Sequence, residues 1–403
     1  AGREDAMNAD APWLAALRQR AAQPPRQPRE VLRFGPAEVG SIEPAMGERM
    51  AADGLPLRRE AAHWQVTARD DEALAELAAW LRDQGLSSRW RDERLPVIDM
   101  HLHPGEWSNT PPDTQEFLAG RFPFPLQLTP ARLAGQVLSV DGLKSELDGA
   151  GIGTGVLFAV YAPRTVGISA NEDVIADVKQ APDRFYGLAS LRVERWNEDE
   201  ASELKRLRDA LGEPGMVGVK LAHAHQHFRM DDPRYFSIYA LAGELAKPVY
   251  LHTGTSPFPG TAQAGPYTDP AYLEPAIAAH PQTIFILGHL GYDFKQQQLG
   301  AFATCLELAA RSPNVFLEPS ALGSRSSDPS GANLKTVMRR IREAGLVDRT
   351  IYGSDGPQSP GFVDEYLGRT VAAMREADYS RAEMRSVLAG NFVRVFAVQE
   401  PAQ

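Results

Sequence analysis

The sequence predicts a (β/α)8 barrel that follows a small α/β domain. Eight short apolar runs come after Pro96, and each is followed by a helical stretch. From the second run onward the runs start about 30 to 36 residues apart, the length of one βα unit. The runs are continuous, as in parallel strands buried on both faces. They are VIDMHLH (97), GVLFAVYA (155), FYGLASL (185), VGVKLAH (217), PVYLHTG (248), TIFILGH (283), NVFLEPS (314) and TIYGSDG (350).

A doubly wound open sheet is the competing topology for alternating strands and helices. That fold usually carries a glycine-rich phosphate-binding turn after its first strand, and HLHPGEW lacks the required spacing. Eight units within about 300 residues therefore favour the barrel. The first connection, residues 104–154, is the longest and is rich in proline and phenylalanine. We expect it to form a lid, since long βα loops cover barrel active sites.

The N-terminal region has a different pattern from the barrel. DAPWLAALRQRAAQPP predicts a short helix, VLRFGPAEVGSIEP a strand and turn, and DDEALAELAAWLRDQGL an amphipathic helix. We therefore divide the chain into an accessory α/β domain, residues 1–93, and the barrel, residues 94–403. We expect the accessory domain to be a folding or interface module, which leaves a homodimer open.

Composition narrows the range of partners and locations. The net charge is −10 without a long basic run, which argues against a nucleic-acid partner. No apolar run approaches the roughly 20 residues of a membrane span. The first residues lack the apolar stretch of a signal peptide, and the single cysteine, Cys305, suits a reducing compartment. We therefore expect a cytoplasmic protein that acts on a small molecule.

Polar residues recur where the predicted strands end. In a (β/α)8 barrel the working residues lie at these carboxyl ends. Strand side chains alternate, so His101 and His103 point to the same side, which is the barrel interior. The other strand ends hold Lys220 (strand 4), His252 (strand 5), His289 (strand 6), Glu318 (strand 7) and Asp355 (strand 8).

These residues suit a divalent metal site. Two neutral imidazoles on one strand supply half of a tetrahedral or five-coordinate site. His252 and Asp355 can complete the site from across the barrel, and His289 would stand beside the reacting water. A carboxylated substrate would need cationic or polar partners. Our candidates for that role are Lys220, His223, Arg164 and Arg325.

The set of motifs resembles the amidohydrolase superfamily, and in particular its amidohydrolase-related (amidohydrolase 2) branch. The matching motifs are DMHLH, HTG, GHLG and YGSDGP at strands 1, 5, 6 and 8, together with the closing VLAGNFVRVF. The resemblance covers about Leu95 to Phe396. It implies a metal-dependent barrel, and the branch includes hydrolases, hydratases and decarboxylases of carboxylated aromatic or dienoic acids.

The segment GVKLAHAHQHFRMDDP resembles the branch pattern GxKLHPxxQxF, but Ala222 and His223 stand where the pattern has His and Pro. Lys220 also stands where phosphotriesterase-like relatives carry a carboxylated lysine that bridges two metals. One reading has a single ion, zinc favoured, held by His101, His103, His252 and Asp355. The other has two ions bridged by carboxylated Lys220, and we favour one ion.

The resulting functional prediction is a hydrolase that uses water activated by the metal on a lactone, ester or amide. Asp355 and His289 would be catalytic and would move the proton. The alternative enzyme is a metal-dependent decarboxylase or hydratase of an aromatic or unsaturated acid. A catalytically silent metal-binding module is the alternative of another class, but it would require a missing ligand.

Overall fold

The computed structural model describes residues 95–121 and 130–399, together with the backbone of three short N-terminal strands. These strands, β1 (Glu30–Phe34), β2 (Leu57–Glu60) and β3 (His63–Ala68), form an antiparallel sheet in the order β1-β3-β2. The strand predicted in VLRFGPAEVGSIEP is confirmed. Both predicted N-terminal helices lie outside the described residues, and the division at residue 93 stays a prediction.

Seven of the eight apolar runs form one parallel sheet. Neighbouring strands follow one another in chain order, which is the topology of successive βα units. A short antiparallel hairpin, β6 (Val160–Ala162) with β7 (Gly167–Ser169), follows the second strand. The sheet strands are β4 (Ile98–Leu102), β5 (Thr154–Phe158), β8 (Phe185–Ala189), β9 (Met216–Leu221), β10 (Val249–His252), β11 (Phe285–Gly288) and β12 (Val315–Glu318).

The eighth run closes the barrel without forming a regular strand. On one side, the Ile351 amide donates to the Leu317 carbonyl of β12 at 2.8 Å. On the other side, the Met100 amide of β4 donates to the Tyr352 carbonyl at 3.2 Å, and the Asp355 amide donates to the His101 carbonyl at 3.0 Å. Residues 350–356 thus bridge both edges of the sheet, and the predicted (β/α)8 barrel is confirmed.

Helices surround the barrel and bury one face each. Ala332–Glu343 shows the pattern, since Leu334, Val337, Met338 and Ile341 are buried at helical spacing. In the described part of the chain, no helix combines the length and apolar character that a membrane crossing requires. The longer helices are Pro112–Arg121, Pro130–Leu138, Val140–Ala150, Asn171–Gln180, Trp196–Leu211, Phe236–Glu244, Phe302–Arg311, Ala332–Glu343 and Phe362–Glu376; the shorter ones are His223–Gln226, Gly265–Thr268, Glu274–Ala279, Arg381–Arg385 and Asn391–Phe396.

An apolar cluster fills the barrel interior below the polar strand ends. It contains residues from the early part of the strands, such as Val217 and Ile286, and the aromatic rings of Phe392 and Phe396 from the last helix. The terminal segment VLAGNFVRVF therefore seals this end of the barrel. The polar residues lie at the opposite end of the barrel, where the strands end.

A bulge in β4 turns two successive side chains inward. The register between β4 and β5 shifts between Asp99 and Leu102. Met100 belongs to the inner apolar cluster, yet the His101 ring also faces inward and stacks on Phe158 with a centroid distance of 4.3 Å. Strict alternation would have put these neighbours on opposite faces, so the bulge aims His101 into the site.

Asp99 ties the first strand to the eighth segment. One carboxylate oxygen accepts hydrogen bonds from the amides of His101 (3.1 Å) and Ser354 (2.8 Å), and the other accepts from the Ser354 hydroxyl. The side chain is fully buried, and burial raises its pKa to about 6 although these hydrogen bonds lower it. The carboxylate therefore holds the closing segment directly beside His101.

We expect Asp99→Asn to lower the free energy of unfolding by roughly 1–3 kcal/mol. The amide nitrogen cannot accept from Ser354, so a buried donor loses its partner. Denaturant titration near neutral pH measures the change. Asp183→Asn, at an exposed position, is the control. Equal stabilities of the two variants would contradict the role of Asp99 in closing the barrel.

Candidate active site

Three ligand-type atoms from the first strand and the eighth segment meet at the carboxyl end of the barrel. His101 Nε2 lies 3.0 Å from His103 Nε2 and 3.1 Å from Asp355 Oδ1, while His103 Nε2 lies 2.8 Å from the same oxygen. The His101 side chain is fully buried, whereas those of His103 and Asp355 are 36% and 20% exposed. The group is thus solvent-accessible on one side, as an entering substrate requires.

His289 and His252 lie beside these three residues. One ligand atom each from His101, His289 and Asp355 falls within 4.8 Å of the others, a spacing that could hold a metal ion. The His252 ring lies 4.5 Å from the His289 ring, and its buried Nε2 has no hydrogen-bond partner among the described residues. Strand ends that are distant in sequence thus meet as the sequence pattern predicts.

Burial and neighbouring charges shift the pKa values of these side chains in opposite directions. Burial raises the pKa of the Asp355 carboxyl, but the charges and hydrogen bonds of His101 and His103 outweigh it and hold the pKa well below its usual range. Burial lowers the pKa of His101, yet the carboxylates of Asp355 and Glu318 give a net increase. Burial keeps the pKa of His103 below its ordinary value. Asp355 is therefore ionised near neutral pH.

His289 is a neutral imidazole with a defined orientation. Burial lowers its pKa to about 4. Its Nδ1 lies 3.0 Å from the Ser320 carbonyl oxygen, which can only accept a hydrogen bond. The Nδ1 atom therefore carries the proton, and Nε2 presents a lone pair. In this state His289 is a proton acceptor rather than a donor to an oxyanion.

Lys220 is buried in the site, at its predicted position at the end of β9. Its side-chain nitrogen lies 4.3 Å from the Tyr250 ring centroid and 4.8 Å from that of Phe158. This nitrogen has no hydrogen bond or ion pair within the part of the chain that the structure describes. Burial lowers its pKa to about 8, partly offset by the carboxylates of Asp355 and Glu318. An unpaired buried ammonium of this kind can bind an anion.

Glu318, Ser320 and Tyr250 form a buried hydrogen-bond network behind His101. Glu318 Oε1 lies 3.1 Å from His101 Nδ1, and Oε2 accepts from Ser320 Oγ at 2.7 Å and from the Tyr250 hydroxyl at 3.2 Å. Sequence reasoning gave these three residues no role. The two-residue strand period was a usable signal, because Tyr250 precedes His252 by two and Ser320 follows Glu318 by two.

Two of the other predicted substrate contacts, His223 and Arg325, have partners outside the group of His101, His103 and Asp355. The buried His223 ring stacks on Phe228 at 4.1 Å, and its Nε2 lies 3.3 Å from the hydroxyl of Tyr239 on an outer helix. Arg164 is exposed, and Arg325 is 77% exposed and pairs with Glu365 at 2.9 Å. Arg164, His223 and Arg325 all lie beyond the ends of their strands, where the alternation of strand side chains no longer determines which way a side chain points.

Because the residues after the fourth predicted strand read as a loop, the sequence predicts His225 at the surface or in a lid, and the surface prediction is wrong. The side chain is buried, with its ring 5.1 Å from His252 and its Nδ1 3.1 Å from Thr165 Oγ1. The helical turn His223–Gln226 directs the His225 side chain inward, which the loop prediction for this segment missed.

The first connection reaches toward the same region. The Phe258 ring contacts both His225 (5.8 Å) and Phe117 of the first connection (5.2 Å), which supports the predicted lid.

Together, a closed parallel barrel and a group of histidines and a carboxylate at its strand ends define the site of a (β/α)8-barrel enzyme. The family model described as Amidohydrolase matches residues 98–398. The chain belongs to this family, which confirms the resemblance seen in the motifs. No curated protein matches the chain.

Solved structures share the fold at low sequence identity. An uncharacterized TIM-barrel protein from Bordetella bronchiseptica has a TM-score of 0.57 and 22% identity, covering 75% of this chain and 99% of its own. A probable 2-pyrone-4,6-dicarboxylic acid hydrolase from Acinetobacter baumannii has a TM-score of 0.52 and 17% identity (75% and 100%). A dihydroxybenzoic acid decarboxylase from Polaromonas, with bound manganese, has a TM-score of 0.51 and 18% identity (75% and 97%).

We expect Gly288→Ala to destabilise the protein by about 1–3 kcal/mol, as overpacking does. A Cβ at this position would overlap the Tyr250 hydroxyl and displace the ring from Glu318 and His101. Gly368→Ala is the matched control, because a Cβ there meets nothing within 4 Å and alanine stabilises a helix by roughly 0.5–1 kcal/mol. Denaturant unfolding of both variants measures the difference, and a shift of the same sign in both would count against this packing.

We expect the protein to lose stability at acid pH, in part because His223 is protonated more readily in the unfolded chain than in the folded one. Burial lowers its pKa from 6.5 to about 3, so below 6.5 the unfolded chain binds a proton that the folded chain rejects. The stability is intact above the unfolded pKa and declines as pH falls toward 3, by about 2 kcal/mol at pH 5. His223→Phe should remove this part of the decline between about pH 8 and pH 5. An unchanged decline, measured by denaturant titration, would contradict the assignment.

Proposed function

We propose that the protein is a metal-dependent hydrolase of a small, carboxylated lactone, ester or amide. The observation that carries the proposal is the meeting of His101 Nε2, His103 Nε2 and Asp355 Oδ1 at 2.8–3.1 Å from one another. His101 and His103 belong to the first strand and Asp355 to the closing segment, so barrel closure gathers two imidazoles and a carboxylate at one point, where they can act as ligands of one cation. A carboxylate and imidazoles are the donors that zinc prefers.

The donor set fits one divalent ion. We assign His101, His103, His252 and Asp355 as its ligands, because the buried Nε2 of His252 is an imidazole nitrogen without a hydrogen-bond partner in the part of the chain that the structure describes. Zinc is favoured by the nitrogen-rich set, and manganese is the alternative, since the Polaromonas decarboxylase contains it. When bound, such an ion lowers the pKa of a coordinated water and polarises a substrate carbonyl.

Asp355 and His289 are the groups that move the proton. The ionised Asp355 carboxylate can take a proton from the attacking water, whose oxygen forms the new bond to the acyl carbon. The C–O or C–N bond then breaks, and the leaving atom receives this proton. His289 is neutral and its Nε2 carries a lone pair, 3.4 Å from the Tyr250 hydroxyl, so it is a second acceptor that can pass the proton on.

Lys220 is proposed to bind the substrate carboxylate. Its ammonium has no hydrogen bond or ion pair among the described residues and stands against the faces of Tyr250 and Phe158, which attract a cation. The same ring faces would repel an anionic carbamate on this nitrogen. This supports a single ion rather than two ions bridged by a carboxylated Lys220. His223, Arg164 and Arg325 are not part of this proposal, given where they lie.

Decarboxylation of an aromatic acid is the second candidate. The same ligands and Lys220 could hold such a substrate, and the Polaromonas neighbour carries out that class of reaction by its name. However, an ammonium paired with the carboxylate stabilises the charge that decarboxylation must remove. Hydrolysis leaves that carboxylate intact, so we rank it first.

The purified protein should contain one divalent ion per chain by elemental analysis, and chelation should abolish hydrolysis of a panel of carboxylated lactones, esters and amides. Asp355→Asn should lower kcat by at least about 100-fold, the scale expected for general-base catalysis. Asp183→Asn is the control. Metal binding without hydrolysis of any panel member, but with CO2 release from aromatic acids, would favour the second candidate. A metal-free protein unaffected by chelators would contradict both.

A further inference from the structure

We propose that His225 is a specificity-determining residue, and that its Nε2 atom binds a polar group of the substrate other than the carboxylate. His225 acts here within the proposed function, on which this inference rests, with Lys220 binding the carboxylate. The substrate class narrows to small carboxylic acids that carry a second hydrogen-bonding group, such as a hydroxyl. A hydroxyl can both donate and accept, so it suits an imidazole nitrogen in either protonation state.

The ring of His225 lies in the wall of the candidate active site. Its centroid is 5.1 Å from that of His252, and the two rings are nearly perpendicular, at 87°. The ring also contacts Phe258, in the loop after β10, at 5.8 Å. Burial lowers the pKa of His225, and the nearby charges of Lys220 and His289 lower it further. The ring is thus close to residues at the ends of three neighbouring strands, β9, β10 and β11.

One ring nitrogen of His225 is held by the protein, and the other is accessible. Nδ1 lies 3.1 Å from Thr165 Oγ1. Nε2 makes no hydrogen bond with the described residues and, unlike His252 Nε2, is not fully buried. The 7% of the residue that is exposed therefore includes this nitrogen. A few placed polar atoms in an otherwise apolar wall are what orients a small ligand.

The helical turn that carries His225 is fixed, so the ring keeps its direction. Gln226 Oε1 accepts a hydrogen bond from the Ala222 amide at 2.9 Å, which closes the turn on itself. The Ala262 amide donates to the Ala224 carbonyl at 2.9 Å and ties the turn to the loop after β10. A hydrogen-bonding group on such a rigid element discriminates between ligands more sharply than one on a mobile loop.

The predicted lid supports the partner of His225. Thr165 lies in the hairpin between β6 and β7 and is fully buried. Its carbonyl accepts a short hydrogen bond from the hydroxyl of Thr114, in the lid helix Pro112–Arg121. Thr165 is therefore a positioning residue, because its hydroxyl holds Nδ1 and leaves Nε2 to a ligand.

A packing role for His225 makes a different prediction. If the ring only filled space beside Phe258, phenylalanine at this position would change the affinity of related ligands alike. If Nε2 binds a polar group, the affinity ratio between ligands with and without that group changes. One net hydrogen bond corresponds to about 2–10-fold in affinity.

The test measures the binding of benzoate, 3-hydroxybenzoate and 4-hydroxybenzoate to the full chain loaded with Zn²⁺, by titration calorimetry. These rigid acids hold the hydroxyl at two fixed distances from the carboxylate. In wild type, at least one hydroxybenzoate should bind about 2–10-fold more tightly than benzoate. His225→Phe should remove this difference and leave benzoate binding unchanged. Thr165→Val should reduce the difference, and Thr165→Ser, which keeps the hydroxyl, should preserve it.

His280→Phe is the matched control and should keep the wild-type ratio. His280 Nδ1 lies 2.8 Å from the Ala276 carbonyl oxygen, and its ring packs on Phe236 of an outer helix at 5.5 Å. Equal binding of the three acids by wild type, or an unchanged ratio in a folded His225→Phe, overturns the role of His225. If His225→Phe does not fold, a ratio that Thr165→Val leaves unchanged overturns that role instead.

Lys220→Met separates the proposed function from the role of His225. It should weaken the binding of all three acids by a similar factor. If it binds them as wild type does, the carboxylate site of the proposed function fails, while a ratio lost in His225→Phe still supports His225. If wild type binds none of the acids, both fail.

Discussion

The closing of the barrel by residues 350–356 is the constraint on which the site depends. The segment hydrogen-bonds to β4 on one side and to β12 on the other, and the Asp99 carboxylate binds Ser354 in between. These bonds put Asp355 against the histidines of the first strand, although about 250 residues separate them in the chain. Without closure the carboxylate and the two imidazoles would belong to opposite edges of an open sheet.

The buried polar site is stable because its charges compensate one another. Two carboxylates, Asp355 and Glu318, flank the imidazole of His101, while the Lys220 ammonium stands against two aromatic faces. An ion pair buried in low dielectric is costly unless each partner is satisfied. Here the carboxylates accept several hydrogen bonds each, and the buried Nε2 of His252, which has no hydrogen-bond partner among the described residues, is an atom that a ligand could satisfy.

Glycine and aromatic residues share the space around this network. The Tyr250 hydroxyl occupies the space that a side chain at Gly288 would need, and the Glu318 carboxylate occupies the space that a side chain at Gly353 would need. This pairing explains why hydroxyl and carboxylate groups can enter a layer that is otherwise apolar. The inner cluster below it, with Phe392 and Phe396 at its base, keeps water out of the strand interior.

Much of the fold was predictable because its signals are local. The spacing of the apolar runs reports one βα unit at a time, and all eight predicted strand positions line the barrel, although the last makes only isolated bridges. The histidines at strand ends were predictable for the same reason. The bulge in β4 was not, since it depends on the register with β5 rather than on the residues of β4 alone.

By itself, the sequence determined the barrel, the family and the residues at the strand ends, since periodicity and motifs are properties of short segments. The tertiary structure decided which of those residues have partners. It turned Arg325 toward Glu365, buried His223 against Phe228, brought His225 beside His252, and set Glu318 behind His101. These contacts join elements far apart in the chain, and they form only where barrel closure and loop direction bring the side chains within hydrogen-bonding or ring-contact distance.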